Sequence, residues 1–245
     1  MWEYNMTSER MYQILDICSS IEEVKKDVIK NHDNNLWWPL DVKDYRKRLL
    51  IGGLSTRVSY SMISHYREVV KKIDEYEYES IIQLSDDELI SILRPLGLSN
   101  NRLKYIKSMI NLINKYNDKL LKYENDELIE LIAKNVNGAS YKVAQCCVLY
   151  MRDYHCGIMP VDSGMKDMAI PCIGLGEFKD GIGHEYARKE LETIINKVDL
   201  KKLIIKNGYD NLKFPINGLY NWWAHLVLIY YKRHIATKET YLVAL

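Results

Sequence analysis

The chain has 245 residues, 47% hydrophobic and 27% charged, with a formal net charge of +1 at pH 7. That size suits one large domain or two small lobes, and no stretch is long and apolar enough to span a bilayer as a helix. Near-neutrality excludes bulk charge as a source of nucleic-acid affinity, so any such affinity has to come from a local basic patch and from helix ends.

Apolar residues recur at helical spacing almost throughout and sustained alternation is scarce, so the expected fold is all-α. Ser8 to Lys30 reads as an amphipathic helix or pair of helices with Met11, Ile14, Leu15, Ile17 and Cys18 facing inward. Trp37-Trp38-Pro39 ends that segment, and Asp41 can cap the next helix, which carries Tyr45, Leu49 and Leu50. The run Gly52-Gly53-Leu54-Ser55-Thr56-Arg57 interrupts the pattern before a helix from about Val58 to Ile73. Its glycine pair can simply permit close helix packing. Ser85-Asp86-Asp87-Glu88 is a capping box opening a short helix that stops near Pro95. Leu96-Gly97-Leu98 follows, then a helix through Tyr116, and Asn125-Asp126-Glu127 starts another.

The segment from Val136 to Asp162 organises the chain. A helix ends before Asn137, Gly138 allows a tight turn with positive φ, and Ser140 can cap a new helix. This is a helix-hairpin-helix. Unpaired amides at the second helix's N-terminus can hold a phosphate without reading any base. Lys142 then lies in the first turn of that helix, and Asp162 follows a Pro-bounded loop. An amine and a carboxylate beside such a turn suit chemistry at a sugar carbon, the amine attacking C1′ and the carboxylate stabilising positive charge. A solvated lysine and a helix-capping aspartate are the plain alternative.

Gly174-Leu175-Gly176, with Gly181 and Gly183, is too irregular for a nucleotide-binding fingerprint and reads as a loop. His155, Cys156, Cys172 and His184 lack metal-ligand spacing. Five cysteines without framework spacing fit reduced thiols, and no signal peptide is evident. An intracellular location, in cytoplasm and nucleoid or in a nucleus, is expected.

The run Val136-Asn137-Gly138-Ala139-Ser140-Tyr141-Lys142, closed by Val161-Asp162, resembles the signature of the helix-hairpin-helix DNA glycosylase superfamily, which includes endonuclease III and 8-oxoguanine DNA glycosylase. There a Leu-Pro-Gly-Val-Gly-x-Lys turn precedes a Val-Asp. The first glycine is kept as Gly138, the second has become Ser140, Lys142 falls on the Schiff-base lysine and Asp162 on the aspartate. Lys142-Val143-Ala144-Gln145-Cys146 is closer to the 8-oxoguanine branch, and Cys146, at i+4 from Lys142, could line the base pocket. By the same resemblance Leu54 is the wedge that fills the gap left by a flipped nucleotide, Leu98 touches the opposite strand, and Arg102 meets phosphates. Gly138, Ala139 and Ser140 bind the backbone.

Asn217-Gly218-Leu219-Tyr220-Asn221-Trp222-Trp223-Ala224-His225 resembles the C-terminal helix of 8-oxoguanine glycosylases, which lines the base pocket. His225 stands where that branch has a base-reading glutamine and Ile229 where it has a stacking phenylalanine, with Trp222 beside them. Ser163-Gly164 replaces the usual residue-His pair after the aspartate. No cysteine follows Cys172, so the iron–sulfur cluster of endonuclease III is not expected and no cofactor or metal is implied.

The resemblance implies two helical lobes with an active-site cleft between them. Residues 54–151 form a helical-barrel lobe ending in the helix-hairpin-helix, and 1–53 with 152–245 form a discontinuous second lobe. The implied activity is a bifunctional DNA glycosylase and abasic-site lyase of base excision repair. It acts as a monomer on double-stranded DNA, most readily at 8-oxoguanine. Oxidised pyrimidines, mismatched or modified bases, and a non-catalytic DNA-binding protein on the same scaffold stay open.

Overall fold

The structure, a computed structural model, describes residues 8–152, 154–162, 165, 183–216 and 218–235. Among the described residues every regular element is helical, as the apolar spacing requires. The α-helices are α1 (Ser8–Ser20), α2 (Glu22–His32), α3 (Tyr45–Gly52), α4 (Ile63–Asp74), α5 (Tyr78–Gln83), α6 (Asp86–Leu93), α7 (Ser99–Tyr116), α8 (Asn125–Asn135), α9 (Tyr141–Arg152), α10 (Gly183–Ile195), α11 (Leu200–Lys206) and α12 (Asn221–His234). None is long and apolar enough to cross a membrane. The chain divides into two units, Leu36–Asp153 and Met1–Asn35 with Tyr154–Leu245.

The Leu36–Asp153 unit is built around α9, whose residues from Val143 to Met151 are all buried. A helix apolar or small on every side is a core helix, and α3 and α8 pack against it. The approach of α3 is close because it ends in glycines: a Cβ at Gly52 would lie 2.7 Å from the Cys147 Cα, and one at Gly53 would lie 2.2 Å from the Tyr105 ring. The Tyr105 hydroxyl donates to Leu49 O (2.7 Å), accepts from Gly53 N (3.0 Å) and lies 3.1 Å from Cys147 Sγ. The expected boundary at residue 53 therefore moves to 35, since α3 packs on α7 and α9.

Asp44, not Asp41, caps α3, accepting from Arg46 N at 2.8 Å, while Asp41 reaches Arg67. The predicted helix from Val58 opens later, with a 3-10 turn at Tyr60–Met62 before α4. The Ser85–Glu88 capping box is present, and α6 gives way to a 3-10 turn over Arg94–Leu96 that accommodates Pro95. A second capping box joins Glu124 and Glu127 at the start of α8.

In the other unit, α12 packs on α2, α1 and α10. Met11, Ile14, Leu15 and Cys18 face its core as expected, but Ile17 is 42% exposed because it falls on the opposite side of α1. Trp222 and Trp223 are both buried, on different faces of α12, Trp223 lying edge-on to Tyr209. Gly183, read as part of a loop, opens α10.

Candidate active site and nucleic-acid interface

The helix-hairpin-helix turn is short and mostly open. Val136 closes α8 through its amide to Ile132 O, Asn137 N donates to Ser108 Oγ at 2.9 Å, and Gly138 takes φ +78°. Ala139 is buried and its amide is bonded to Val136 O (3.1 Å), so its part is packing rather than contact with a ligand. Gly138 and Ser140 are exposed. Beyond them the first amides of α9 have no acceptor within the helix, at the positive end of its dipole. Lys142 is the second residue of α9 and half-buried. Its charge opposes the effect of burial on Cys147, whose thiol burial pushes up to about 12, against the Tyr105 hydrogen bond. Cys146, one turn after Lys142, is 7% exposed and part of the core of this unit.

Asp162 ends a segment that α10 holds in place. Arg188, 1% exposed, bonds Glu185 (2.5 Å) and Glu192 (2.6 Å). Glu192 in turn accepts from Met159 N at 2.8 Å, and His184 Nδ1 donates to Val161 O at 2.8 Å. Ile158 to Val161 are buried, and Asp162 Oδ1 accepts from Met165 N at 2.8 Å, which orients its carboxylate. Lys142 and Cys146 belong to the Leu36–Asp153 unit, and Asp162, Trp222, His225 and Ile229 to the other. Ser163-Gly164, Gly174-Leu175-Gly176, Gly181, Cys172 and Asn217 lie outside the described residues.

Two expected DNA contacts are corrected. Leu54 is fully buried in the core of its unit, so its side chain is not available as a wedge. Arg102 is 5% exposed, and its guanidinium bonds four backbone carbonyls, Leu54 O (2.7 Å), Gly97 O (2.9 Å), Thr56 O (3.0 Å) and Leu96 O (3.3 Å), so it is not presented to phosphates. Leu98, by contrast, is 50% exposed, in a left-handed conformation (φ +51°) at the N-cap of α7. Arg57, which the sequence did not single out, is exposed with φ +56°.

The helix α12 residues sit in an aromatic group. His225 stacks on Trp222 at 5.3 Å and 15°, and Trp222 Nε1 donates to His32 O at 3.1 Å. The His32 ring lies 4.9 Å from Phe214 and 5.9 Å from His155, and Tyr154 lies 5.9 Å from Trp222. Ile229 is buried further along the helix. Burial lowers the pKa of His32, opposed by its hydrogen bond to Asp33, and its Nε2 is buried without a hydrogen-bond partner among the described residues. His32, Tyr154, His155 and Phe214 were missed as site candidates. The Tyr154-His155 pair directly after α9 was the available signal. Among the described residues no group of three His, Cys, Asp or Glu is placed to hold a metal ion.

No family model matches the chain. Over 140 residues it is 24% identical to a Methanocaldococcus jannaschii protein provisionally named a DNA repair glycosylase, a match covering 54% of this chain and 61% of that protein. The chain thus spans about three-fifths of the length of that relative. Its fold is similar to the crystal structure of H. pylori 3-methyladenine DNA glycosylase (MagIII) bound to 1,N6-ethenoadenine, with a TM-score of 0.57, 16% identity, and coverage of 93% of this chain and 99% of that one. The described residues are all-helical with a hairpin turn at Gly138, and the chain shares its fold with that solved glycosylase structure.

Proposed function

We propose that the chain is a DNA glycosylase that removes a damaged base from double-stranded DNA, using Lys142 as nucleophile and Asp162 as the charge-stabilising carboxylate. The observation that carries this reading is the Gly138 turn, which delivers Lys142 into the first turn of α9, at the positive end of the helix dipole. The amides at that end hold a backbone phosphate and the amine is thereby set near the adjoining sugar. The target base is flipped out of the stack, since C1′ chemistry is blocked inside a duplex. The Lys142 Nζ lone pair bonds C1′ as the glycosidic bond breaks, and the base leaves with that electron pair and takes up a proton. Asp162 balances the positive charge on the sugar. Loss of the amine protons and opening of the sugar ring give a Schiff base, from which a C2′ proton and the 3′-phosphate are eliminated.

Among substrates, 8-oxoguanine follows from the likeness of α12 to the 8-oxoguanine branch. An alkylated purine is the second reading. It is favoured by the fold similarity to an enzyme of 3-methyladenine and by the aromatic faces around Trp222, because alkylation can leave a cationic ring that stacks on such faces.

Borohydride trapping tests both parts. Duplexes carrying one 8-oxoguanine, one 1,N6-ethenoadenine or one abasic site are incubated with the protein and with Lys142→Ala. A covalent adduct that requires Lys142 supports the lyase chemistry, and the duplex that yields it names the base. Base release without an adduct makes the enzyme monofunctional. Neither release nor adduct, with retained duplex binding, makes it a non-catalytic binder.

A further inference from the structure

A hollow partly open to solvent lies among α3 to α7 of the Leu36–Asp153 unit, and its nine lining residues are all leucine or isoleucine except Tyr76. It follows from the pattern of α6, whose Leu89, Ile92 and Leu93 recur at helical spacing and face the same way. Leu89 and Ile81 are buried in it, Leu84 and Ile92 are half-buried, and Tyr76 is 37% exposed, so the last three form its mouth. Water there has no hydrogen-bond partner on the walls, and covering the mouth with an apolar group is favourable. The space is small and takes the end of one aliphatic side chain.

The chain that forms this mouth is acidic. Between Asp74 and Glu88 there are seven carboxylates and no Lys, Arg or His. They alternate with the lining residues: Glu75 and Glu77 flank Tyr76, and Asp86, Asp87 and Glu88 stand between Leu84 and Leu89. Adjacent Cα atoms are about 3.8 Å apart, so these charges border the mouth. Three of the seven are paired within the unit, Asp74 with Lys47, Glu79 with Arg46 and Asp86 with Lys107. Glu75, Glu77, Asp87 and Glu88 are exposed and form no ion pair among the described residues. The dipole of α6 accounts for Asp87 and Glu88 in its first turn. It does not account for Glu75, the C-cap of α4, where a helix dipole disfavours an anion. Nor does Glu77 cap α5 with its side chain. Like charges gathered in this way repel one another and give the core nothing.

An apolar mouth and an unbalanced anionic rim call for an occupant that is apolar at its centre and cationic at its edges. Nucleic acid and anionic lipid are repelled, and a neutral apolar ligand leaves the rim unpaired. We infer that the hollow is a docking site for a basic amphipathic segment of a partner protein. One aliphatic side chain of that segment enters between Tyr76, Leu84 and Ile92, and lysines or arginines beside it meet Glu75, Glu77, Asp87 and Glu88. The inference is independent of base excision, because none of these residues belongs to the turn that carries Lys142.

The probe is a synthetic fluorescein-labelled helical peptide with leucines on one face and lysines and arginines on the other. Binding is read by anisotropy, and its place by the methyl resonances of Ile81, Leu84, Leu89 and Ile92 in isotope-labelled protein. Those four are expected to shift together. Replacing the peptide's leucines by serine is expected to weaken binding about ten-fold or more, as loss of a buried apolar side chain does. Reversing the rim in Glu75→Lys/Glu77→Lys/Asp87→Lys is also expected to weaken it about ten-fold or more. The same change of net charge in the other unit, Glu9→Lys/Glu23→Lys/Asp210→Lys, is expected to leave it within about two-fold, since exposed charges beyond a Debye length are screened. Should the rim variant not fold, the serine peptide and the methyl shifts decide alone. A serine peptide that binds as well as the leucine peptide reduces the site to charge alone and overturns the proposal. So do shifts confined to other methyls, or the same shifts produced by a DNA duplex. Shifts of the four methyls on concentrating the protein by itself make a second copy the occupant and overturn it too.

Discussion

Two loops of the Leu36–Asp153 unit carry glycine for opposite reasons. At the end of α3, Gly52 and Gly53 are needed because other atoms occupy the space a side chain would take, with Cys147 and Tyr105 pressed against the backbone. At the hairpin, Gly138 has nothing within 4 Å of its missing Cβ and is needed only for its φ of +78°. The first loop is turned inward and satisfied by Tyr105 and Arg102; the second is exposed at Gly138 and Ser140. One glycine pair serves packing, and the other glycine serves backbone conformation, at the turn proposed above to meet a phosphate. Only the surroundings tell the two uses of the same residue type apart.

The strongest way to break that contrast is at the helix that follows the open turn. Lys142→Ala is expected to remove the borohydride-trapped adduct and lower base release on the order of a thousand-fold or more, as loss of a nucleophile does, while melting like the wild type. A variant that keeps trapping would move the nucleophile elsewhere. Next in size is Gly53→Ala, whose methyl must displace the Tyr105 ring from 2.2 Å. A loss of about 1–3 kcal/mol, as for overpacked cores, is expected in denaturant unfolding. An unchanged midpoint would show that the ring gives way freely.

Gly138→Ala sharpens the comparison, since it meets strain without a clash. About 1 kcal/mol of stability should be lost, together with weaker binding to an undamaged duplex in low salt. If Gly138→Ala cost more stability than Gly53→Ala, the assignment of the two loops would be reversed. The smallest effect lies outside both loops. Burial lowers the pKa of His32 from its usual 6.5, so the folded state binds fewer protons there than the unfolded one. The stability this gives is complete above pH 6.5 and falls away as pH drops from there through the lower folded value. Melting temperatures at pH 7.5 and 5 should therefore differ less in His32→Gln than in the wild type, and an equal difference would place the acid sensitivity elsewhere.

Local signals were legible in the sequence and long-range ones were not. The Ser85–Glu88 capping box and the hairpin at Gly138 are written in consecutive residues, and both stand where expected. Asp41 was read as a cap because aspartate before an apolar run suits an N-terminus, yet Asp44, three residues on, meets the first free amides. Arg102 was read as a phosphate contact from the family resemblance of the Gly97-Leu98 turn, with a solvated helix face as its expected setting. Its true partners are carbonyls of Leu54 and Thr56, far away in sequence, which no local pattern encodes. Leu54 was read as a wedge from the family resemblance, but Gly52 and Gly53 pack against Cys147 and Tyr105, and Leu54 after them is fully buried. Asp162 was singled out by its motif, whereas the Arg188–Glu192–Met159 chain that holds the segment before it joins residues about thirty apart.

The neutralisation of Arg102 by dipoles has a consequence for working conditions. A carboxylate partner would let acid or concentrated electrolyte loosen the pair, but peptide carbonyls do not titrate and a buried contact is little screened. Ionic strength and acid therefore leave the 54–56 and 96–97 backbone that Arg102 joins in one shape, whatever they do to exposed charges elsewhere on the chain.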